Sequence, residues 1–376
     1  MIISSKFDGG NIECIDASDP GNVQLNIIKD NQSDFYQWFY FRAANVIDQD
    51  CRYVITNAGG AAYQGGWNDY QAVASYDREF WFRVNTSFDG SNLVIEHNSS
   101  EDQIYFAYFA PYSMERHADL IAFAQTSDRC SLQSLGHSLD GQSMDCLRFG
   151  EPGSAKKIIW CVARQHPGES MAEWWMEGLI NRLVDHSDAV VRAVLDKAVI
   201  YLVPNMNPDG SRRGHLRTNA VGSNLNREWD KASAEKSPEV LCVLEKMRQT
   251  GLDFGLDVHG DEALPYNFIA GTEGISDWNP QRQQQLDCYK QTLAKLNPDF
   301  QTEKGYPANN SGTANLSYCS NALAAEFGAL VMTLEMPFKD ATGTPDSLQG
   351  WSPERCANLG RSCLDALHFC WDEVVK

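Results

Sequence analysis

Residues 158–170 read Ile158-Ile159-Trp160-Cys161-Val162-Ala163-Arg164-Gln165-His166-Pro167-Gly168-Glu169-Ser170. The first six form an apolar run of strand length, and residues 170–183 read as an apolar-rich helix. The unit recurs toward the C-terminus: residues 198–203, 254–258 and 330–334 read as strands, and residues 238–247, 281–295 and 353–374 as helices. Buried strands alternating with helices predict an α/β domain, a mixed and mostly parallel sheet with helices on both faces. Upstream of Pro111 the pattern differs. Short strand-like pieces at 23–28, 38–43, 53–57, 81–85, 93–96 and 104–109 are separated by Gly, Asn, Asp and Ser, which predicts an antiparallel β-sandwich. Between the two, Ser113 is placed to cap a helix through 118–124. The aromatic stretch 38–46 is expected to be buried on both sides or to lie at an interface.

Parallel sheets bind ligands at the carboxyl ends of their strands, so the chemistry belongs after Ala163, Val203, Val258 and Leu334. His166 and Glu169 stand three apart on a turn entering a helix, and Pro167 keeps His166 out of helical geometry. Taken alone, the pair reads equally well as a capping Glu beside a satisfied loop His. With a distant His it makes a three-ligand zinc site that keeps an open position, and His259 stands at another strand end. Asn226 beside Arg227 is a natural receptor for a carboxylate, by a bidentate fork plus a further donor. Arg217, if near the metal, can polarise a carbonyl. Glu335 ends an apolar strand, so it is either a buried, paired carboxylate or, beside zinc, a general base.

The ordered set of His166-Pro167-Gly168-Glu169, Asn207-Pro208-Asp209-Gly210, Arg217, Asn226-Arg227, His259 and Thr333-Leu334-Glu335 resembles the M14 zinc metallocarboxypeptidases over 113–376. Residues 38–42 and 105–113 resemble the cytosolic carboxypeptidase branch, which carries a β-sandwich before its catalytic domain. The resemblance implies a sandwich over 1–112 and a carboxypeptidase-like domain of phosphorylase/hydrolase type over 113–376. It implies one zinc per chain held by His166, Glu169 and His259. Glu335 would act as general base and then as proton donor to the leaving amine, and Arg217 would stabilise the oxyanion. Asn226 and Arg227 would grip the terminal carboxylate of a peptide or protein tail. Tyr306 is the candidate for the family's mobile tyrosine, with Tyr318 as the alternative. Two other readings stand beside this one: a zinc-dependent deacylase of small N-acyl amino acids, and a catalytically silent module that binds peptide tails.

Two positions depart from the family pattern. Asn224 stands where an Asp usually orients the first zinc His, so a weaker metal site is expected. Asn315 stands where glutamate-cleaving relatives place a basic residue, so strict glutamate specificity is not expected. Asp257 is placed to orient His259 or to serve the fold, and Asp261 and Glu262 are rival ligands. His97, His117, His137, His186, His215 and His368 read as surface or internally satisfied histidines.

Composition narrows the partners. The 376 residues carry 50 acidic and 31 basic side chains, a net charge of −19. Nucleic acids and anionic membranes call for a basic face, so neither is expected as a partner. The 11 cysteines are odd in number and scattered, with no closely spaced pair, which argues against a disulfide framework. No basic-then-apolar leader and no long apolar span is evident, and a reducing cytoplasm is the expected compartment.

Overall fold

Alternation along the strand Lys157–Ala163 sorts its side chains between two helical layers. Ile159 and Cys161 pack against Trp175 and Leu179 of helix Met171–Leu183, Tyr289 of Pro280–Leu296, and Cys363, Leu364 and Leu367 of Pro353–Phe369. Trp160 and Val162 face the other way, toward Met247 of helix Pro238–Thr250 and Cys319 and Leu323 of Cys319–Phe327. The structure, a computed structural model, describes residues 1–153 and 156–375.

This strand lies at the centre of a seven-stranded sheet. Its order is Cys130–His137, Ser143–Phe149, Ala198–Val203, Lys157–Ala163, Phe254–Asp261, Leu330–Pro337, Phe268–Ala270. The four strands from Ala198–Val203 to Leu330–Pro337 are parallel, and the pairings beyond them on either side are antiparallel. The parallel strands are covered on both faces, which is why they read as continuous apolar runs rather than as alternation.

The first 107 residues form two five-stranded sheets. One runs Ile2–Ser4, Tyr40–Ala44, Gln103–Ala107, Val73–Ser75, Phe82–Arg83; the other runs Glu13–Asp16, Val23–Asn26, Asp50–Ile55, Leu93–Asn98, Thr86–Phe88. They face each other through aromatic side chains: Phe106 of the first lies 4.8 Å from Tyr53 of the second, and Phe41 lies 5.7 Å from Tyr53, ring to ring. One pairing, Val23–Asn26 with Asp50–Ile55, is parallel. The chain crosses to the other sheet at Tyr40–Ala44 between these two strands, and such a crossover permits a parallel pair. The aromatic stretch at 38–46 supplies a central strand: Phe39 and Phe41 are fully buried.

A single apolar cluster runs from this sandwich into the α/β layer. Tyr108 stacks on Phe338 at 4.5 Å, and Arg83 donates to the carbonyls of Phe338, Gln349 and Trp351. The two sheet systems are therefore packed as one body.

Several elements differ from the expectations. The hairpin Cys130–His137/Ser143–Phe149 and the helix Ala189–Lys197 were not read from the sequence. The hairpin carries only partial alternation, although Asp140-Gly141, with Gly141 at φ 82°, is its turn signal. The final helix breaks at Cys370 into Pro353–Phe369 and Trp371–Val374.

A buried ionic cluster ties helix Met114–Ala124 to the sheet. His117 Nδ1 lies 2.6 Å from Glu173 Oε1, and its Nε2 lies 3.4 Å from Asp145 Oδ2. Arg164 donates to the other Glu173 oxygen at 2.7 Å. Burial alone would lower the His117 pKa, but Glu173 and Asp145 outweigh it and hold the imidazole up at about 9. The folded-state value exceeds the unfolded value of about 6.5, so this stabilisation is complete below pH ~6.5 and fades as pH rises toward 9. His117→Gln should therefore lower the melting temperature at pH 6 and converge on the wild type near pH 9 to 10. Thermal melts across that range check it, and parallel pH profiles would count against it.

Candidate metal centre and active site

The strand Lys157–Ala163 ends at Arg164, whose φ of 58° turns the chain sharply out of the sheet. A non-glycine residue rarely adopts this conformation. Here its guanidinium is locked: Nε donates to Pro167 O at 3.0 Å, and Nη1 to Tyr112 O and Glu173 Oε2 at 2.8 and 2.7 Å. The His166–Glu169 turn is held against the Arg217 segment as well. Gly168 N donates to Leu216 O at 2.9 Å, and a Cβ on Gly168 would meet that same oxygen at 2.9 Å, so only glycine fits.

The turn brings three donors together. His166 Nδ1 lies 2.6 Å from Glu169 Oε1, and His259 Nδ1 lies 2.8 Å from Glu169 Oε2. The three ligand atoms lie within 4.8 Å of one another and all three residues are buried. The outer ring nitrogens have their own partners: His166 Nε2 lies 3.1 Å from Asn224 Oδ1, and His259 Nε2 lies 3.0 Å from Asp257 Oδ2. Asn224 thus sits where it can orient His166, and Asp257 does the same for His259 while accepting from Gln165 Nε2 at 2.7 Å. Two imidazoles and a carboxylate are a donor set that suits zinc.

The electrostatics agree with that chemistry. Burial, with Arg217 alongside, pushes the His166 imidazole down to about 4, so its ring is neutral and can donate a lone pair. Burial would raise Glu169, but His166 and His259 overcome it and keep the carboxylate ionised. Burial also disfavours charge on His259, yet Asp257 and Glu169 pull its pKa well above the usual value. A proton and a metal ion are alternatives at such a nitrogen.

Glu335 comes from the adjacent strand. In the parallel pairing of Phe254–Asp261 with Leu330–Pro337, His259 and Glu335 are direct partners, so both side chains emerge on the same face. Burial pushes the Glu335 carboxyl well above its ordinary range, and its Oε2 is buried with no hydrogen-bond partner among the described residues. Tyr306, 49% exposed, donates to Asp261 Oδ2 and lies 3.3 Å from Glu335 Oε1. Tyr318 instead lies under Arg227, whose guanidinium sits 3.8 Å from the ring centroid.

A cavity of about 490 Å³ opens over these groups, and Arg217, Asn226 and Arg227 line it with Tyr306 and Glu335. Asn226 Oδ1 accepts from Cys319 N at 2.8 Å, which aims its amide nitrogen at His259. Arg217, whose side chain is 12% exposed, approaches Glu169 at 4.0 Å. Arg227 pairs with no carboxylate within 4.0 Å among the described residues; it donates to Asn226 O at 2.6 Å. Burial and the neighbouring Arg217 lower its pKa, the signature of two cations sharing one cavity.

Other placements differ from the expectations. Asn315 does not line the cavity: its Oδ1 accepts from Ser317 N and caps its own loop. Lys290 and Glu273 line the wall instead. The expectation about glutamate, which rested on Asn315, therefore has no counterpart in the cavity wall. Asp261 and Glu262 lie outside the ligand triad. Asp261 caps the backbone of Ala263 and Leu264, and burial pushes Glu262 up to about 8. His215 is internally satisfied, between Asn31 N and Thr218 O. Tyr63 and Lys290 line the cavity without any signal in the sequence, because no motif spacing connects them to the triad.

Comparison with known proteins agrees with this geometry. Residues 3–109 match the cytosolic carboxypeptidase N-terminal domain, and residues 117–315 match the zinc carboxypeptidase family. A Zymomonas mobilis protein is 53% identical over 99% of this chain and 97% of its own length. The crystal structure of a metallo-carboxypeptidase from Burkholderia cenocepacia superposes with a TM-score of 0.95, at 44% identity over 99% of this chain and 98% of the other. A metallo-carboxypeptidase from Pseudomonas aeruginosa, solved in complex with (2-guanidinoethylmercapto)succinic acid, gives a TM-score of 0.97 at 42% identity, covering 99% and 100%. Mouse cytosolic carboxypeptidase 6 is more distant: 26% identical over 70% of this chain, which spans 54% of that protein. With a matched catalytic family over more than half of its length and the triad in place, the chain belongs to the M14 zinc carboxypeptidase family and is a metallocarboxypeptidase.

Proposed function

We propose that this enzyme removes the C-terminal residue from peptides or proteins, with zinc held by His166, Glu169 and His259. The observation that carries the reading is the pair Arg217 and Arg227 in one cavity with the triad, Arg227 having no carboxylate partner of its own among the described residues. Two neighbouring guanidiniums are costly to bury together unless an anion joins them, and a chain terminus supplies one free carboxylate. When bound, zinc supplies Lewis acidity and brings the pKa of a coordinated water to about 7.

The chain's own residues do the rest. Arg227 and the Asn226 amide receive the terminal carboxylate and set the register, so the bond cleaved is the last one. Arg217 lines the same cavity 4.0 Å from Glu169 and is suited to hold the negative charge that develops on the scissile carbonyl oxygen. Glu335, in register with His259, accepts a proton at its free Oε2 and returns it to the leaving amine. Tyr306, half exposed at the mouth and bonded to Asp261, is free to swing over bound substrate and exclude water.

Three outcomes follow. Glu335→Gln should keep zinc and substrate affinity while kcat falls about 10²–10⁴-fold; single-turnover assays with metal analysis check this, and a variant retaining a tenth of kcat would remove Glu335 from the role. A peptide amide should be a far poorer substrate than the same peptide with a free terminus, by roughly 1.5–3 kcal/mol in kcat/KM. Equal rates on both would overturn the exopeptidase reading. Asn224→Asp should slow zinc loss to a chelator by about 10–100-fold, because an anionic acceptor at His166 Nε2 strengthens the ligand. An unchanged loss rate would mean that the amide serves equally well.

A further inference from the structure

The buried carboxylate of Asp30 lies in the N-terminal sheet system but spends all its hydrogen-bonding capacity on the catalytic layer. Its Oδ1 accepts from Leu216 N at 2.7 Å. Its Oδ2 accepts from Arg217 N at 2.8 Å, Thr218 N at 2.9 Å and Thr218 Oγ1 at 3.0 Å. Asp30 is 3% exposed, and its four donors all belong to three consecutive residues centred on Arg217. No regular secondary structure holds that segment, so these bonds fix the backbone from which the Arg217 side chain departs.

Neighbouring contacts make this a clamp rather than a single bond. Asn31 N donates to His215 Nε2 at 3.1 Å, which leaves the ring proton at Nδ1 to bond Thr218 O at 2.9 Å. Asn31 Nδ2 donates to Ala220 O at 2.6 Å. Gly214, at φ 69°, lets Gly9 and Gly10 approach so closely that a Cβ would meet their carbonyl oxygens at 2.7 and 2.8 Å. The side chain of Arg217 is framed from the same side: its guanidinium carbon sits 5.7 Å from the Phe35 ring and 5.4 Å from the Tyr63 ring. Gln37 in turn holds the Tyr63 backbone at both its N–H and its carbonyl. Every one of these supports comes from the first 63 residues.

We propose that Asp30 is the positioning residue for Arg217, so that the N-terminal sandwich is an integral part of the catalytic apparatus. The proposal rests on Arg217 serving the transition state as argued above. Removing the carboxylate frees the segment to shift, and a misplacement of the order of 1 Å in a group that acts on the reacting carbonyl costs about 10²-fold. The loss should fall on kcat, because terminal-carboxylate binding belongs to Arg227 and Asn226.

The test is a double-mutant cycle on a free-acid peptide, with zinc content and melting temperature measured for each variant. Asp30→Asn should lower kcat by about 10–100-fold with KM changed by less than about threefold and zinc retained. In an Arg217→Ala background the same substitution should change kcat by less than about twofold, since its effect passes through Arg217. Lys339→Met breaks a different contact between the two parts, from Lys339 Nζ to Asn68 O at 2.7 Å, and should lower the melting temperature while kcat stays within twofold. If Asp30→Asn does not fold, Thr218→Val, which removes one of the four donors, decides: a kcat loss of about threefold or more that vanishes without Arg217 supports the proposal. A silent Asp30 variant, an equal loss in the Arg217→Ala background, or an equal loss in Lys339→Met overturns it. Full activity of Arg217→Ala itself would overturn the role of Arg217 and the proposal with it, whereas an inactive Arg217→Ala with an additive Asp30 effect would overturn the proposal alone.

Discussion

The parallel register between Phe254–Asp261 and Leu330–Pro337 is the constraint on which the site depends. It pairs Asp257 with Thr333 and His259 with Glu335, so one imidazole of the triad and the Glu335 carboxyl leave neighbouring strands on the same face. A slip of one residue would send Glu335 to the opposite side of the sheet. The register is held by burial on the face opposite the site, where Leu256, Val258, Leu334 and Met336 are packed with little or no exposure. Apolar packing that has no chemistry of its own thus sets the distance between two groups that do.

The second requirement is to hold so many ionisable groups out of water. Glu169 is shared between two imidazoles and also accepts Gly260 N, and Asp257 is shared between His259 and Gln165. Behind the His166 turn, Arg164, Glu173 and His117 form a chain of buried charges in which each member has a partner. A buried charge without one would cost several kcal/mol. Arg227, with no carboxylate within 4.0 Å among the described residues, and Glu335 Oε2, with no hydrogen-bond partner among them, both face the cavity, where a reacting partner can provide compensation.

The sandwich is more than a neighbour of this machinery. Arg83 and Tyr108 lock it to the C-terminal segment around Phe338, and Asp30 locks it to the segment carrying Arg217. Tyr63 also reaches the cavity wall itself. The catalytic layer and the sandwich therefore share both a hydrophobic core and a wall of the site.

How much of this was legible follows from the range of the interactions. The strand 158–163, its neighbours and the main helices could be read because burial on both faces leaves uninterrupted apolar runs. Their ends then pointed to His166, Glu169, His259 and Glu335, which the fold brings together. The Arg217 and Asn226-Arg227 motifs were visible for the same reason: their residue types are rare in combination and lie close in sequence. The hairpin at 130–149 was not legible, since its half-exposed outer strand carries weak alternation. Asp30, Tyr63 and Lys290 stand about 100 or more residues from the ligands nearest them in space or lie on an unremarkable helix face, and local pattern says nothing about such pairs. Asn315 shows the converse: its position in a motif suggested a pocket wall, but the loop turns its amide back onto Ser317. The sequence by itself determined which residues could carry the chemistry, because residue type and short spacing are local properties. Only the tertiary structure decided which groups line the cavity and what holds Arg217 in place, because those depend on contacts between segments that approach one another only when the whole chain has packed.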